Sequence, residues 1–135
     1  MRVTTSWMED LAFDSEVNGH HIVLDADDSV GGKDRGPRPK NLVLASLTGC
    51  TGMDVISILN KMRVKVDSFR VIADGEAATE HPKVFTKIHL IYEFKGKDLP
   101  MDKLTKAVEL SQNRYCPVSA MLKNVLDLSY EIKVI

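Results

Sequence analysis

Apolar residues run almost unbroken from Leu42 to Leu59 (LVLASLTGCTGMDVISIL), while elsewhere they alternate with polar residues or recur at helical spacing. Pro37 and Pro39 come just before the run, where proline suits the first turn of a helix but not its interior. Between Lys40 and Lys61 the only formal charge is Asp54. The pattern predicts a helix from Pro39 to Met62, roughly 36 Å long at 1.5 Å per residue. A helix that is apolar on nearly every side has to be buried on nearly every side. One short chain is hard pressed to cover such a rod alone. Its middle is small: Ala45, Ser46, Thr48, Gly49, Thr51 and Gly52 surround Cys50. Each helical glycine costs about 1 kcal/mol relative to alanine, so a pair calls for a packing or functional reason. Two readings stand: a tight helix crossing inside a core, or a thiol held beside a subunit interface.

The remaining pattern is shorter in period. Arg2 to Met8, Leu11 to Val17 and His20 to Asp25 are rich in β-branched and aromatic residues, with turns at Glu9-Asp10 and Asn18-Gly19. Asn-Gly between two such runs is a strong hairpin signal, so an antiparallel meander is expected. Asp25 to Arg38 is polar and carries Gly31-Gly32, a loop leading to the long helix. Val66 to Thr79 and Val84 to Lys95 alternate as strands, joined by a turn at Glu80-His81-Pro82. The apolar phase of the second strand slips once, between Phe85 and Ile88. Leu104, Ala107, Val108 and Leu110 recur at helical spacing within Pro100 to Arg114. Cys116-Pro117 then opens a short helix, Val118 to Val125, and Leu128 to Ile135 closes the chain as a strand. The order βββ-α-ββ-α-α-β predicts an α+β domain with the long helix packed on antiparallel sheets.

Composition narrows the function. The chain has 135 residues and a net charge of −1, which fits one domain over residues 1–135 and gives no global field for nucleic acid or a membrane surface. MRVTTSWMEDLAF lacks the apolar centre of a signal peptide. The central run approaches membrane length, but Asp54 and its small polar residues argue against a span. A soluble cytoplasmic protein is expected, with no nucleic-acid or membrane partner. Four histidines without supporting cysteine or carboxylate spacing do not make a zinc site. Asp25, Asp27 and Asp28 lack the spacing of a calcium loop, so neither metal nor cofactor is expected.

The two cysteines, Cys50 and Cys116, are too far apart in sequence for a local pair, so only the fold can bring them together. With Pro117 as the first helical residue, Cys116 takes the N-cap, where free N–H groups and the helix dipole favour a thiolate. Cys50 lies mid-helix and needs a cation to become a good nucleophile. Two inert core thiols are the plainer alternative.

Several motifs together are similar to the OsmC/Ohr family of thiol-dependent hydroperoxide reductases. They are the proline ahead of Thr48-Gly49-Cys50 in a small-residue helix, the following DVISILNK, and the downstream RYCPVS around Cys116. The order of elements fits as well, so the resemblance covers essentially the whole chain, and it is nearest the broad OsmC-like branch. It implies an intertwined homodimer with the long helices between sheets and the cysteine pairs near the subunit boundary. It further implies that Cys50 attacks a small hydroperoxide and becomes a sulfenic acid, that Cys116 resolves it to a disulfide, and that an external dithiol or lipoyl-type reductant restores both.

In that family an arginine polarises the first thiolate, and an acidic residue after the helix-opening proline orients it. Here that position is Lys40, and no arginine lies on the second or third expected strand. Arg38 and Arg35, in the loop before the helix, are the substitutes. Arg38 is about 18 Å from Cys50 along one helix, so it reaches the thiol by folding back or from a second subunit. Asp54, one turn after Cys50, is expected to raise the thiol pKa unless it is itself paired. A non-catalytic dimer holding a small apolar ligand at its interface, and a scaffold whose cysteines only pack, are the rival readings.

Overall fold

In the computed structural model, which describes residues 1–135, the chain resolves into two compact units, Met1–Val43 and Leu44–Ile135. The first is the expected meander. β1 (Val3–Glu9), β2 (Ala12–Val17) and β3 (His20–Leu24) pair antiparallel in that order. Val17 faces His20 across a two-residue turn in which Asn18 and Gly19 both have positive φ, 51° and 77°. This matches the twist of the flanking strands.

The following loop is built around the buried carboxylate of Asp25. It accepts hydrogen bonds from the backbone N–H of Ala26 at 2.8 Å and of Lys33 and Arg35 at 3.2 Å each. Gly36 passes so close to β3 that a Cβ there would lie 1.9 Å from the carbonyl oxygen of Val23.

The long helix α1 spans Pro39–Lys61. Leu47, Thr51, Val55 and Leu59, four residues apart, form its buried stripe. Burial is therefore narrower than the all-round burial expected from the sequence: Met53 stays 77% exposed, and Val43 is exposed as well. By length and composition α1 could cross a membrane, yet its inner stripe belongs to a protein core. Neither central glycine is crowded within the chain. A Cβ on Gly49 would meet nothing within 4 Å, and one on Gly52 would make ordinary contact with Val71 and Phe69.

In the second unit, β4 (Ser68–Ala77) pairs antiparallel with β5 (Phe85–Lys95). The apolar slip near Phe85 is a register shift: Ala77 faces Phe85, and Glu76 faces Lys87. One extra residue in β5 resets which side chains point inward. From there Ile88, Leu90, Tyr92 and Phe94 alternate into the core. Next come α2 (Met101–Leu110), a single π-helical turn (Ser111–Tyr115) and α3 (Pro117–Lys123).

The last strand, β6 (Asp127–Val134), lies beside β5 and runs parallel to it. This corrects the expectation of purely antiparallel sheets. The helical segment between Lys95 and Asp127 carries the chain back to the end of the sheet where β5 began, and a parallel neighbour requires such a crossover. Alternation alone does not report strand direction. The core joins Leu47, Val55 and Leu59 to the inward faces of β5 and α2. Each fully buried Leu or Ile among them contributes about 1.5–3 kcal/mol.

Candidate functional site

Cys50 sits on α1 with Thr51 beside it and Asp54 one turn on. Cys116 comes from the other end of the second unit, directly after the π turn. The wider turn is closed by a hydrogen bond from the Cys116 N–H to the Ser111 carbonyl at 2.9 Å. Proline at the next position fixes the first residue of α3, and Cys116 takes the N-cap with extended backbone. Its sulfur accepts from the Ser119 N–H at 3.3 Å.

The two cysteines are free thiols that lie near each other, close enough for Cys116 to act on the Cys50 thiol. Cys50 is half-buried, with the backbone N–H of Val118 near enough to act on its sulfur. The start of α3 therefore lies beside both sulfurs.

Burial pushes the Cys50 thiol up to about 11, and the neighbouring Cys116 adds to the rise. The Val118 N–H pulls the other way, while the Asp54 carboxylate repels the thiolate. At pH 7 this sulfur is a protonated thiol.

A buried polar network adjoins the sulfurs. Ser111 Oγ donates to Asp54 Oδ2 at 2.9 Å, and Thr51 Oγ1 lies 2.7 Å from both Ser111 Oγ and Tyr92 OH. Gln112 Nε2 donates to Tyr92 OH at 2.6 Å and to Thr51 Oγ1 at 3.3 Å. Ser111 has one hydroxyl proton and donates it to Asp54, which sets every direction. Thr51 gives to Ser111, Tyr92 gives to Thr51, and Gln112 gives to Tyr92. The same logic fixes the Gln112 amide with nitrogen toward Tyr92. Burial pushes the Tyr92 phenol up to about 12, so it remains a donor throughout the neutral range. Two buried atoms, Gln112 Oε1 and Ser119 Oγ, have no partner in the chain.

Sequence reasoning singled out both cysteines and Asp54 but missed Thr51, Tyr92, Ser111 and Gln112. A signal was present. Ser111 continues the buried spacing of Leu104, Ala107 and Val108, so a polar residue stands at a core position, and Tyr92 does the same in the alternation of β5.

Arg35 and Arg38 belong to the first unit, where carboxylates of the same unit hold both. Arg35 bonds Asp25 at 2.8 Å, Glu9 at 2.9 Å and Asp10 at 3.1 Å. Arg38 bonds Asp34 at 2.7 Å and Asp27 at 3.3 Å, and donates to the Gly36 carbonyl at 2.9 Å.

Elsewhere, His21 pairs with Asp14, and His89 with Ser129 and Glu131. No three His, Cys, Asp or Glu side chains gather as a metal site. An open groove of about 690 Å³ runs between α1 and β4, lined by Gly49, Gly52, Met53, Ile56, Phe69 and Val71 among others.

The family described as OsmC-like protein matches residues 31–131. Protein YhfA of Escherichia coli K12 is 34% identical, with 100% of this chain aligned to 98% of that one. A crystal structure of a protein from Aquifex aeolicus VF5 is 31% identical, with a TM-score of 0.84 over 99% of this chain and 96% of its own. The organic hydroperoxide resistance protein OhrB of Bacillus subtilis shares the fold at 18% identity and a TM-score of 0.66, covering 98% of this chain and 96% of its own.

Proposed function

The chain belongs to the OsmC-like family, and from that premise we propose that it reduces organic hydroperoxides or hydrogen peroxide through a Cys50–Cys116 dithiol. One observation carries the proposal: two thiols far apart in sequence lie near each other in the fold, so that one acts on the other. The substrate class follows the hydroperoxide resistance relative that shares the fold.

In the first step the Cys50 thiolate attacks the distal oxygen of ROOH. The O–O bond breaks, ROH leaves with a proton, and Cys50 becomes a sulfenic acid. The Cys116 sulfur then attacks the Cys50 sulfur, water leaves, and the disulfide forms. An external dithiol restores both thiols by exchange and is itself oxidised.

A thiol held at about 11 has to lose its proton before it can attack. The proposal gives the activating role to Arg38 or Arg35, brought by a second copy of the chain. Support for a dimer comes from the uncovered apolar surface. Met53 on α1 is exposed, the two helical glycines face open space or loose contact, and Val3, Trp7 and Met8 on β1 are exposed. A three-stranded sheet needs a covered face to be stable.

The test is stoichiometric. One equivalent of tert-butyl hydroperoxide should consume both thiols of each chain and leave a Cys50–Cys116 disulfide, seen by thiol titration and peptide mass. Cys50→Ser should keep its remaining thiol and consume no hydroperoxide. Survival of both thiols in excess hydroperoxide would sink this reading.

A second reading has its own support in the groove between α1 and β4 and in the protonated state of Cys50 at neutral pH. Under it the protein holds a small apolar ligand and does not turn over.

A further inference from the structure

The polar network beside the two thiols ties together the segments that carry them. Thr51 and Asp54 follow Cys50 on α1, and Ser111 and Gln112 open the π turn that leads into Cys116. Ser111 is the junction, bonded to Thr51 at 2.7 Å and to Asp54 at 2.9 Å. Gln112 adds bonds to Thr51 and Tyr92, and its own carbonyl accepts from Lys123 Nζ on α3. Thr51 and Ser111 are fully buried, and Tyr92 anchors the set to β5.

A π turn holds one more residue than an α turn and is rarely stable by itself. Here its first two side chains are secured to the helix that bears the other thiol. Buried hydroxyls with fully assigned directions accept no alternative partners without loss. The π turn is therefore held at one register on α1.

We propose that Ser111, with Thr51, Tyr92 and Asp54, is a positioning device that holds the Cys116 turn against Cys50 and thereby sets how readily the two thiols become a disulfide. This deepens the dithiol reading above and rests on it. Holding two reactants together raises their effective concentration, which favours the intramolecular bond. Without the network, Cys116 gains freedom and the disulfide loses ground to the dithiol.

The experiment equilibrates the full chain in mixtures of glutathione and glutathione disulfide. A Cys50–Cys116 S–S bond forms as the S–S bond of glutathione disulfide breaks, and each departing glutathione sulfur takes one thiol proton. Acid quenching and alkylation then count the disulfide by mass. Ser111→Ala and the isosteric Tyr92→Phe should each lower the oxidation constant about tenfold, a rise in potential of about 30 mV for a two-electron couple. Ser111→Thr, which keeps the hydroxyl, should stay near the parent value. Val64→Ala, a core truncation outside the network, should lie within twofold of the parent.

The proposal is overturned if Ser111→Ala and Tyr92→Phe both stay within twofold of the parent, or if Val64→Ala shifts as far as they do. If the parent forms no Cys50–Cys116 disulfide at any ratio, this proposal and the peroxidase reading fail together. If the shifts appear but hydroperoxide is not consumed, only the peroxidase reading fails.

Discussion

Raising the pH from 7 to 11 should switch on the reactivity of Cys50, and the size of the effect follows from its surroundings. The thiol is pushed to about 11, against about 8.5 for a free cysteine. The thiolate fraction at pH 7 is then about one in ten thousand, against about one in thirty for the free amino acid, a deficit of roughly 300-fold. A more basic thiolate is intrinsically more nucleophilic, with a Brønsted slope of about 0.4–0.5, and this recovers about tenfold. Alkylation of Cys50 by iodoacetamide should therefore be about 30-fold slower than that of free cysteine at pH 7. The rate should climb about tenfold per pH unit up to the thiol pKa. The assay is timed alkylation with quantification of the Cys50 peptide by mass spectrometry, using short exposures at the higher pH values. Cys116→Ala should move the profile to lower pH, because it removes the neighbouring group that favours the protonated form. A Cys50 rate that is already fast at pH 7 and flat above it would refute the reasoning, since the sulfur would then be ionised despite its burial and its contact with Cys116.

Asp54→Asn removes the negative charge that repels the Cys50 thiolate, so alkylation at pH 8 should be several-fold faster than in the parent; an unchanged or slower rate would show that the charge does not act on this sulfur. Asp25 is a stability case. The Arg35 guanidinium, aided by three backbone N–H groups, holds its carboxyl well below the usual carboxylate range. A depressed folded pKa contributes stability that is present above the unfolded value of about 3.9 and is lost as pH falls through the folded one. Asp25→Asn should lower the urea midpoint at pH 7, with the gap to the parent narrowing in acid below pH 4; a gap that is constant with pH would contradict the assignment.

Much of the fold was legible because it rests on local rules. Asn18-Gly19 announced a two-residue turn, and the turn has positive φ at both residues. Pro39 opens α1 as its position implied, and Cys116-Pro117 forms an N-cap followed by a first helical residue. The apolar slip beside Phe85 became a register shift in β5. These features depend on a few neighbouring residues, whose φ angles, missing donors and side-chain period are intrinsic to the chain.

The direction of β6, the narrow buried stripe of α1 and the polar network were not legible, because each depends on segments that meet only after folding. Alternation in Leu128 to Ile135 specifies a strand but not which way it runs; the crossover through α2 and α3 settles that. The sequence by itself determined where the elements lie and that two thiols are present on a helix and at an N-cap. The tertiary structure alone decided that those thiols lie near each other, that Ser111 and Gln112 face Thr51 and Tyr92, and that burial keeps Cys50 protonated. The physical reason is that hydrogen bonding between distant side chains and the loss of water around them are properties of the assembled interior, whereas period, turn and cap are properties of the chain.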